Sequence, residues 1–376
     1  MAKNKAVKRD KITDKEDEAT AKAAEAALTL AKKTVEKKYG EVVSVLAEHG
    51  DMVIPTISTG CMSLDIALGC GGMGLGRVYE LFGPAGSGKS TLAVNVIIQA
   101  QRRGMKCLYI DAEHAVDPKL FKDYGVDTDR LEIAQAYDGE SNLEILEVFA
   151  RTGAFSVIVV DSVAALIPRD EAEADIDKDG VGLHARLMGK ALRKITPIAN
   201  QTQTLIIFIN QERMKIGGYG NPKTTTGGEA LAFYATGRIA VKGPEARSRR
   251  IANDKGEVIG HNSEFEVVKN KLAAPFKTAY IDLIYGKGYD AVSEVLAMAT
   301  SLGVVDKKGA WYSYKGENFA NGALKAVEYL RDPVNEDMFE EIKDAVMNMV
   351  GLEEVYERHG HKGPIFTRED IPAEAA

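Results

Sequence analysis

The chain has 376 residues, 45% of them hydrophobic and 27% charged. That is ordinary globular material for roughly two to three domains, and no apolar run reaches the ~18 residues that would cross a membrane. The net charge of −7 gives no basic surplus, so any nucleic-acid site has to be local.

In chain order, residues 1–26 mix Lys, Arg, Asp and Glu with few apolar residues and predict a disordered charged tail. This start has no apolar signal core. Cys61, Cys70 and Cys107 have neither a disulfide framework nor metal-ligand spacing, which points to a reducing, cytoplasmic setting. In 27–54, Leu28, Leu30, Ala31, Val35, Tyr39 and Val43 recur at near-helical spacing. That apolar face packs either on its own domain or on a neighbouring subunit.

Residues 55–290 alternate short β-rich runs (77–82, 106–110, 156–160, 205–209) with helical stretches such as 90–103. The pattern predicts an α/β core, a mostly parallel sheet covered on both faces. Runs 238–242, 264–271 and 280–285 have no long helices between them and predict antiparallel additions at one edge. Residues 291–364 read as a small α/β C-terminal domain with a turn region at 309–316, and 365–376 as a tail.

Gly83-Pro84-Ala85-Gly86-Ser87-Gly88-Lys89-Ser90 fits G-x-x-x-x-G-K-[ST] in full. It follows a predicted strand and opens a predicted helix, the context in which backbone N–H groups cradle phosphate oxygens. Lys89 is placed to reach the β- and γ-phosphates of ATP, and Ser90 to ligate Mg²⁺. The run 157–160 ends in Asp161, a second Mg²⁺ group acting through water. Another strand ends in Ile110-Asp111-Ala112-Glu113-His114, where Glu113 is a candidate base for an attacking water. A third ends in Asn210-Gln211, and Gln211 is a candidate γ-phosphate sensor.

With these residues in view, the chain resembles the RecA recombinases, over about residues 27 to 330. The resemblance rests on an ordered series that includes Ser63-Leu64-Asp65, Thr224-Thr225-Thr226-Gly227-Gly228, Val267-Val268-Lys269-Asn270-Lys271 and Trp311-Tyr312-Ser313-Tyr314-Lys315-Gly316. It implies a P-loop core, an N-terminal docking helix at 27–54, and a homo-oligomeric filament on single-stranded DNA with ATP between neighbours. It further implies DNA-dependent ATP hydrolysis, pairing with double-stranded DNA as second strand, and strand exchange in DNA repair. A repressor substrate and single-strand-binding or loading proteins are implied as further partners. By position, Lys269 and Lys271 would act on the neighbour's nucleotide, Asp117 and Tyr285 would lie near the adenine, and Thr91 would join the phosphate site. Phe233 matches a subunit-interface aromatic.

Two segments, about 169–182 and 212–227, match the family's DNA-binding loops. The implied DNA residues are Val181, Arg186, Arg193, Arg213, Lys215, Ile216, Tyr219 and Thr225. Composition would not single out the first loop, which carries Asp170, Glu171, Glu173, Asp175, Asp177 and Asp179. The chain also departs from the family pattern. Ala85 and Gly86 replace Glu and Ser, and Leu120 with Phe121 stands at the adenine-stacking position. Glu264 and Glu266 replace basic residues, with Arg247, Arg249 and Arg250 nearby to substitute. Two alternatives are a replicative helicase on the same core and a DNA coat without turnover. Lysines in place of an arginine finger argue against the first, and intact Lys89, Ser90, Glu113 and Asp161 against the second.

Overall fold

The structure, a computed structural model, describes residues 3–45, 53–174, 182–214, 223–244, 249–253 and 255–361, with the side chains of 3–19, 213, 214 and 223 excepted. It divides into two units, Met1–Val53 and Ile54–Ala376. The first unit is the single helix α1 (Lys3–Tyr39) and the residues that follow it. The helix expected from residue 27 begins at Lys3, so it takes in much of the segment expected as a disordered tail. Runs such as Ala23-Ala24-Glu25-Ala26-Ala27 are strong helix formers, which accounts for the continuity.

The second unit opens with a small antiparallel pair, β1 (Thr56–Ile57) and β2 (Met73–Gly74), bracketing α2 (Met62–Leu68). Then come β3 (Val78–Gly83), α3 (Lys89–Arg102), β4 (Cys107–Asp111), α4 (Pro118–Asp123), β5 (Leu131–Ala134) and α5 (Gly139–Thr152). Next are β6 (Val157–Asp161), α6 (Arg169–Ala172), α7 (Leu183–Thr202), β7 (Leu205–Met214), β8 (Lys223–Thr225) and α8 (Ala230–Tyr234). The core ends with β9 (Gly237–Lys242), β10 (Arg250–Ala252), β11 (Val258–Asn270), β12 (Thr278–Ile284) and β13 (Gly288–Tyr289). The C-terminal part holds α9 (Ala291–Leu302), a three-stranded antiparallel sheet of β14 (Asp306–Lys308), β15 (Trp311–Tyr314) and β16 (Glu317–Asn321), then α10 (Ala323–Arg331), α11 (Glu336–Met349) and α12 (Leu352–Arg358).

One sheet organises the core, in the order β13-β12-β11-β9-β3-β7-β6-β4-β5, with β10 on β11 and β8 on β7. From β9 to β5 the path is parallel, and β11 to β13 add antiparallel at one edge, as the sequence predicts. The central strands are apolar throughout (Val-Ile-Val-Val in β6, Leu-Ile-Ile-Phe in β7) because both faces are covered. On one face Leu92, Val96 and Ile97 of α3 pack against Tyr109, Val159 and Ile207. On the other, Leu143 of α5 with Met188 and Leu192 of α7 cover Ile158, Val160 and Phe208. A third cluster, including Val292, Leu330, Phe339 and Ile342, is the core of the C-terminal part.

Two buried carboxylates join these parts. Glu294 of α9 supplies the cap that α2 lacks locally, accepting from Met62 N (3.0 Å), Ser63 N (2.8 Å) and Ser63 Oγ (2.5 Å). Asp65 accepts from Ser58 Oγ, Thr59 N, Thr59 Oγ1 and the Tyr356 hydroxyl of α12 at 2.5–2.8 Å. The parallel register then sets the site: Gly83 lies opposite Gln211, and Asp111 opposite Asp161, at one edge of the sheet.

Candidate nucleotide and DNA site

The phosphate loop spans the gap between β3 and α3 at that edge. Gly83 has φ of 155°, and a Cβ there would meet the Val241 carbonyl oxygen at 2.1 Å, so only glycine lets the loop leave the sheet against β9. Gly88, at φ 99°, caps the start of α3. Ser87 and Lys89 are buried, whereas Ala85, Gly86 and Ser90 are exposed at the mouth and Pro84 and Thr91 are half-buried. The Lys89 ammonium donates to the Pro84 carbonyl at 2.6 Å. Burial lowers its pKa, while Asp161, Glu113 and Glu212 act in the opposite sense.

Around the loop the strand ends supply acids. Asp161 Oδ2 accepts from Ser90 Oγ at 2.7 Å and from the Tyr109 hydroxyl at 2.6 Å. Burial raises its pKa, the hydrogen bonds from Tyr109 and Ser90 lower it, and Glu113 and Asp111 raise it again. Glu113 Oε1 accepts from Ser162 Oγ and, at 3.4 Å, from Gln211 Nε2. Asp111 shapes the turn that carries Glu113, accepting from Ala115 N and Val116 N (3.1 Å each) and Gln135 Nε2 (2.9 Å). Ser90, Asp161, Glu113 and Gln211 are thus linked round one loop. A hydroxyl and a carboxylate 2.7 Å apart, backed by two further acids, suit Mg²⁺, which takes few protein oxygens and completes its shell with water and phosphate.

Other expected residues fall at distinct places. Asp117 is exposed and caps α4, accepting from Lys119 N and Leu120 N. Phe121 is buried edge-on against Tyr109 (centroids 5.3 Å apart), so it offers no open face for base stacking. Tyr285 follows β12 at the phosphate-loop edge and meets His261 Nδ1 at 3.2 Å. Lys269 lies opposite Arg238, and Tyr79 opposite Gly237, at the far edge of the sheet. Its ammonium donates to the Ala232 and Phe233 carbonyls at the end of α8. Burial lowers its pKa, as do Lys271 and Arg238, while Glu80 raises it. Lys271 and Phe233 are exposed at the same edge.

For the DNA residues, Arg186 and Arg193 are both exposed on α7, immediately after the first loop. Lys190 lies between them at helical spacing, a cation that sequence reading missed because lone lysines are usually only solvated. Thr225 is half-buried on β8, opposite Glu212 on β7. The β7–β8 ribbon also carries the Arg213 backbone. Val181, Lys215, Ile216 and Tyr219 lie outside the described residues. Arg249 and Lys242 are both paired with Glu264, and Lys242 also with Glu266 at 2.8 Å.

Sequence reading also missed Tyr109, Ser162, His261, Ser263 and Tyr289. They reach the site only through strand register, and the one available cue was a polar residue inside an apolar strand. No helix among the described residues is long and apolar enough to cross a membrane.

The RecA N-terminal domain model matches residues 26–290 and the RecA C-terminal domain model residues 293–351. The protein named Protein RecA of Rhodospirillum rubrum is 45% identical over 347 residues, 91% of each chain. That of Desulforapulum autotrophicum is 46% identical over 320 residues, 85% of this chain and 90% of its own. That of Mannheimia haemolytica is 44% identical over 334 residues, 88% of each chain.

Proposed function

The chain belongs to the RecA family, and from that premise we propose how its residues divide the work of a DNA-dependent ATPase and homologous recombinase. The observation that carries this reading is the linked set Lys89, Ser90, Asp161, Glu113 and Gln211 around one phosphate loop. ATP seats its phosphates on the backbone N–H groups of 85–88 and on Lys89, which leaves the Pro84 carbonyl to meet them. Ser90 and Asp161 would hold Mg²⁺, which would supply charge neutralisation at the phosphate oxygens. Glu113, held by Ser162 and Gln211, orients and deprotonates the attacking water. Gln211 sits at the start of the β7–β8 ribbon, so a γ-phosphate that draws its amide from Glu113 also acts on the second DNA loop.

Lys269 and Lys271 stand at the edge opposite their own phosphate loop, beside Arg238 and exposed Phe233. On this reading they complete a neighbour's site in a filament on single-stranded DNA, where they stabilise charge as an arginine finger does. Arg186, Lys190 and Arg193 track the DNA backbone, and the loops at 169–182 and 212–227 contact the strand. Residues 55–290 form the ATPase core, 291–364 the C-terminal domain, and α1 the docking helix. The protein acts in the cytoplasm, with double-stranded DNA as second substrate.

The experiment is ATP turnover with and without single-stranded DNA, in the parent chain and in Lys89→Ala. Turnover that needs DNA and Lys89 supports the reading. Equal turnover in Lys89→Ala removes the loop from the mechanism.

A further inference from the structure

Behind the phosphate loop lies a buried polar chain that the mechanism above does not use. His261 is fully buried on β11. Its Nε2 is 3.1 Å from Ser263 Oγ and its Nδ1 3.2 Å from the Tyr285 hydroxyl. Ser263 Oγ in turn donates to the Ser87 carbonyl of the phosphate loop at 3.4 Å.

The direction of the protons follows by elimination. The Ser87 carbonyl only accepts, so the one proton of Ser263 goes to it. His261 Nε2 therefore carries a hydrogen and donates to Ser263 Oγ. In a neutral ring Nδ1 is then the acceptor, and Tyr285 donates to it. Burial holds the imidazole below its usual range, against the opposing influence of the Ser87 carbonyl and Asp282, which keeps the ring neutral at pH 7.

The consequence lies on the other side of the peptide plane. In a planar trans peptide the C=O and the following N–H point in opposite directions. Drawing the Ser87 carbonyl back toward β11 turns the Gly88 N–H forward, into the concavity of the loop. The neighbouring Gly88 carbonyl is held from behind as well, by the Tyr289 hydroxyl at 2.9 Å. The backing is close: a Cβ on Gly88 would meet Leu283 at 2.9 Å and the Tyr289 hydroxyl at 3.1 Å.

We propose that His261 is a positioning residue of the nucleotide site, which as a neutral Nε2–H imidazole ties Tyr285 to the Ser87 carbonyl through Ser263 and aims the Gly88 amide at a bound phosphate. The inference rests on the reading that this loop binds ATP. Tyr285 stands half-exposed above the ring, with centroids 5.7 Å apart. One imidazole thus sets both the phosphate end and the aromatic end of the same site.

The test measures ATP affinity and the KM and kcat of DNA-stimulated hydrolysis in the full chain, for the parent, His261→Phe, His261→Gln, Tyr285→Phe and the double variant His261→Phe/Tyr285→Phe. Parent protein that fails to bind ATP overturns the function proposed for the loop. Parent protein that binds ATP as well as His261→Phe does overturns only the role of His261. The inference predicts that His261→Phe, which keeps ring volume without hydrogen bonds, raises KM by roughly three- to tenfold per lost link, with the loss falling on KM more than on kcat. His261→Gln keeps a donor where Nε2–H stands and recovers part of that loss. It also keeps the test open should His261→Phe fold poorly. Adding Tyr285→Phe to His261→Phe costs less than it does in the parent, because the link is already gone. Full additivity of the two changes, or no rescue by Gln, contradicts the inference.

Discussion

Lys89 and Glu113 carry the clearest consequences of single side chains. Lys89 is the one cation inside the phosphate loop, so Lys89→Ala removes the main counter-charge for the phosphates. Equilibrium binding of a fluorescent ATP analogue should show affinity lost along with hydrolysis. Glu113 is held at its carboxylate by Ser162 and Gln211 and is not needed to seat the phosphates. Glu113→Gln should therefore keep ATP affinity and lose turnover by about 10²–10⁴. A collapse of affinity would make Glu113 a structural residue. Both were legible in the sequence because each sits at a fixed offset from a strand end or a glycine pattern. Tyr109 and Ser162 were not. Their partners lie 52 and 49 residues away, and only the pairing of β4 with β6 brings them together. Phe121, which the resemblance sets beside the adenine-stacking position, is consumed by the core.

Elements obey the same physics at larger spacing. The parallel strands were legible because both-face burial writes itself as unbroken apolar runs. The turn region expected at 309–316 is in fact part of a three-stranded sheet, since runs as short as Asp306–Lys308 are too brief and polar to show alternation. Helix α2 was hidden for another reason: its N-terminal cap comes from Glu294, remote in sequence. Burial pushes Glu294 up to about 7 and Asp65 up to about 6, so both bind protons more tightly folded than unfolded. Their contribution is fullest below the ordinary carboxylate range and is lost as pH rises from about 4 to 7, on the order of 3 kcal/mol for Glu294. Melting temperatures of the parent and Glu294→Gln should move in the variant's favour across that window, and a constant difference would refute it. Helix α7 presents Arg186, Lys190 and Arg193 on one exposed face. Replacing Arg186 and Arg193 with Ala should weaken single-stranded DNA binding and reduce the log–log salt slope by about 0.7 for each lost phosphate contact. The melting temperature should hardly change. An unaltered slope would remove α7 from the DNA path.

At the scale of the whole molecule, the sheet has two edges that carry charged side chains. One carries the phosphate loop with Asp161, Glu113 and Gln211, and the other carries Arg238, Lys269 and Lys271. Within one protomer Lys269 is engaged away from the phosphate loop: its ammonium donates to the Ala232 and Phe233 carbonyls, and it lies opposite Arg238, three residues along β9 from the Val241 that backs Gly83. The motifs pointed to Asp161, Glu113 and Gln211 and the resemblance to Lys269 and Lys271, but neither gave the separation of the two sets, which depends on β11 running antiparallel to β9. The claim that the active site is shared is tested most directly by mixing two inactive proteins. Lys89→Ala lacks the phosphate-loop half, and Lys269→Ala/Lys271→Ala lacks the opposite half. Each should be inactive alone, and the double variant should still bind ATP. Mixed in equal amounts on single-stranded DNA, they should recover partial ATP hydrolysis at interfaces where both intact halves meet. Mixed filaments that form on the DNA yet show no recovery would contradict the shared site.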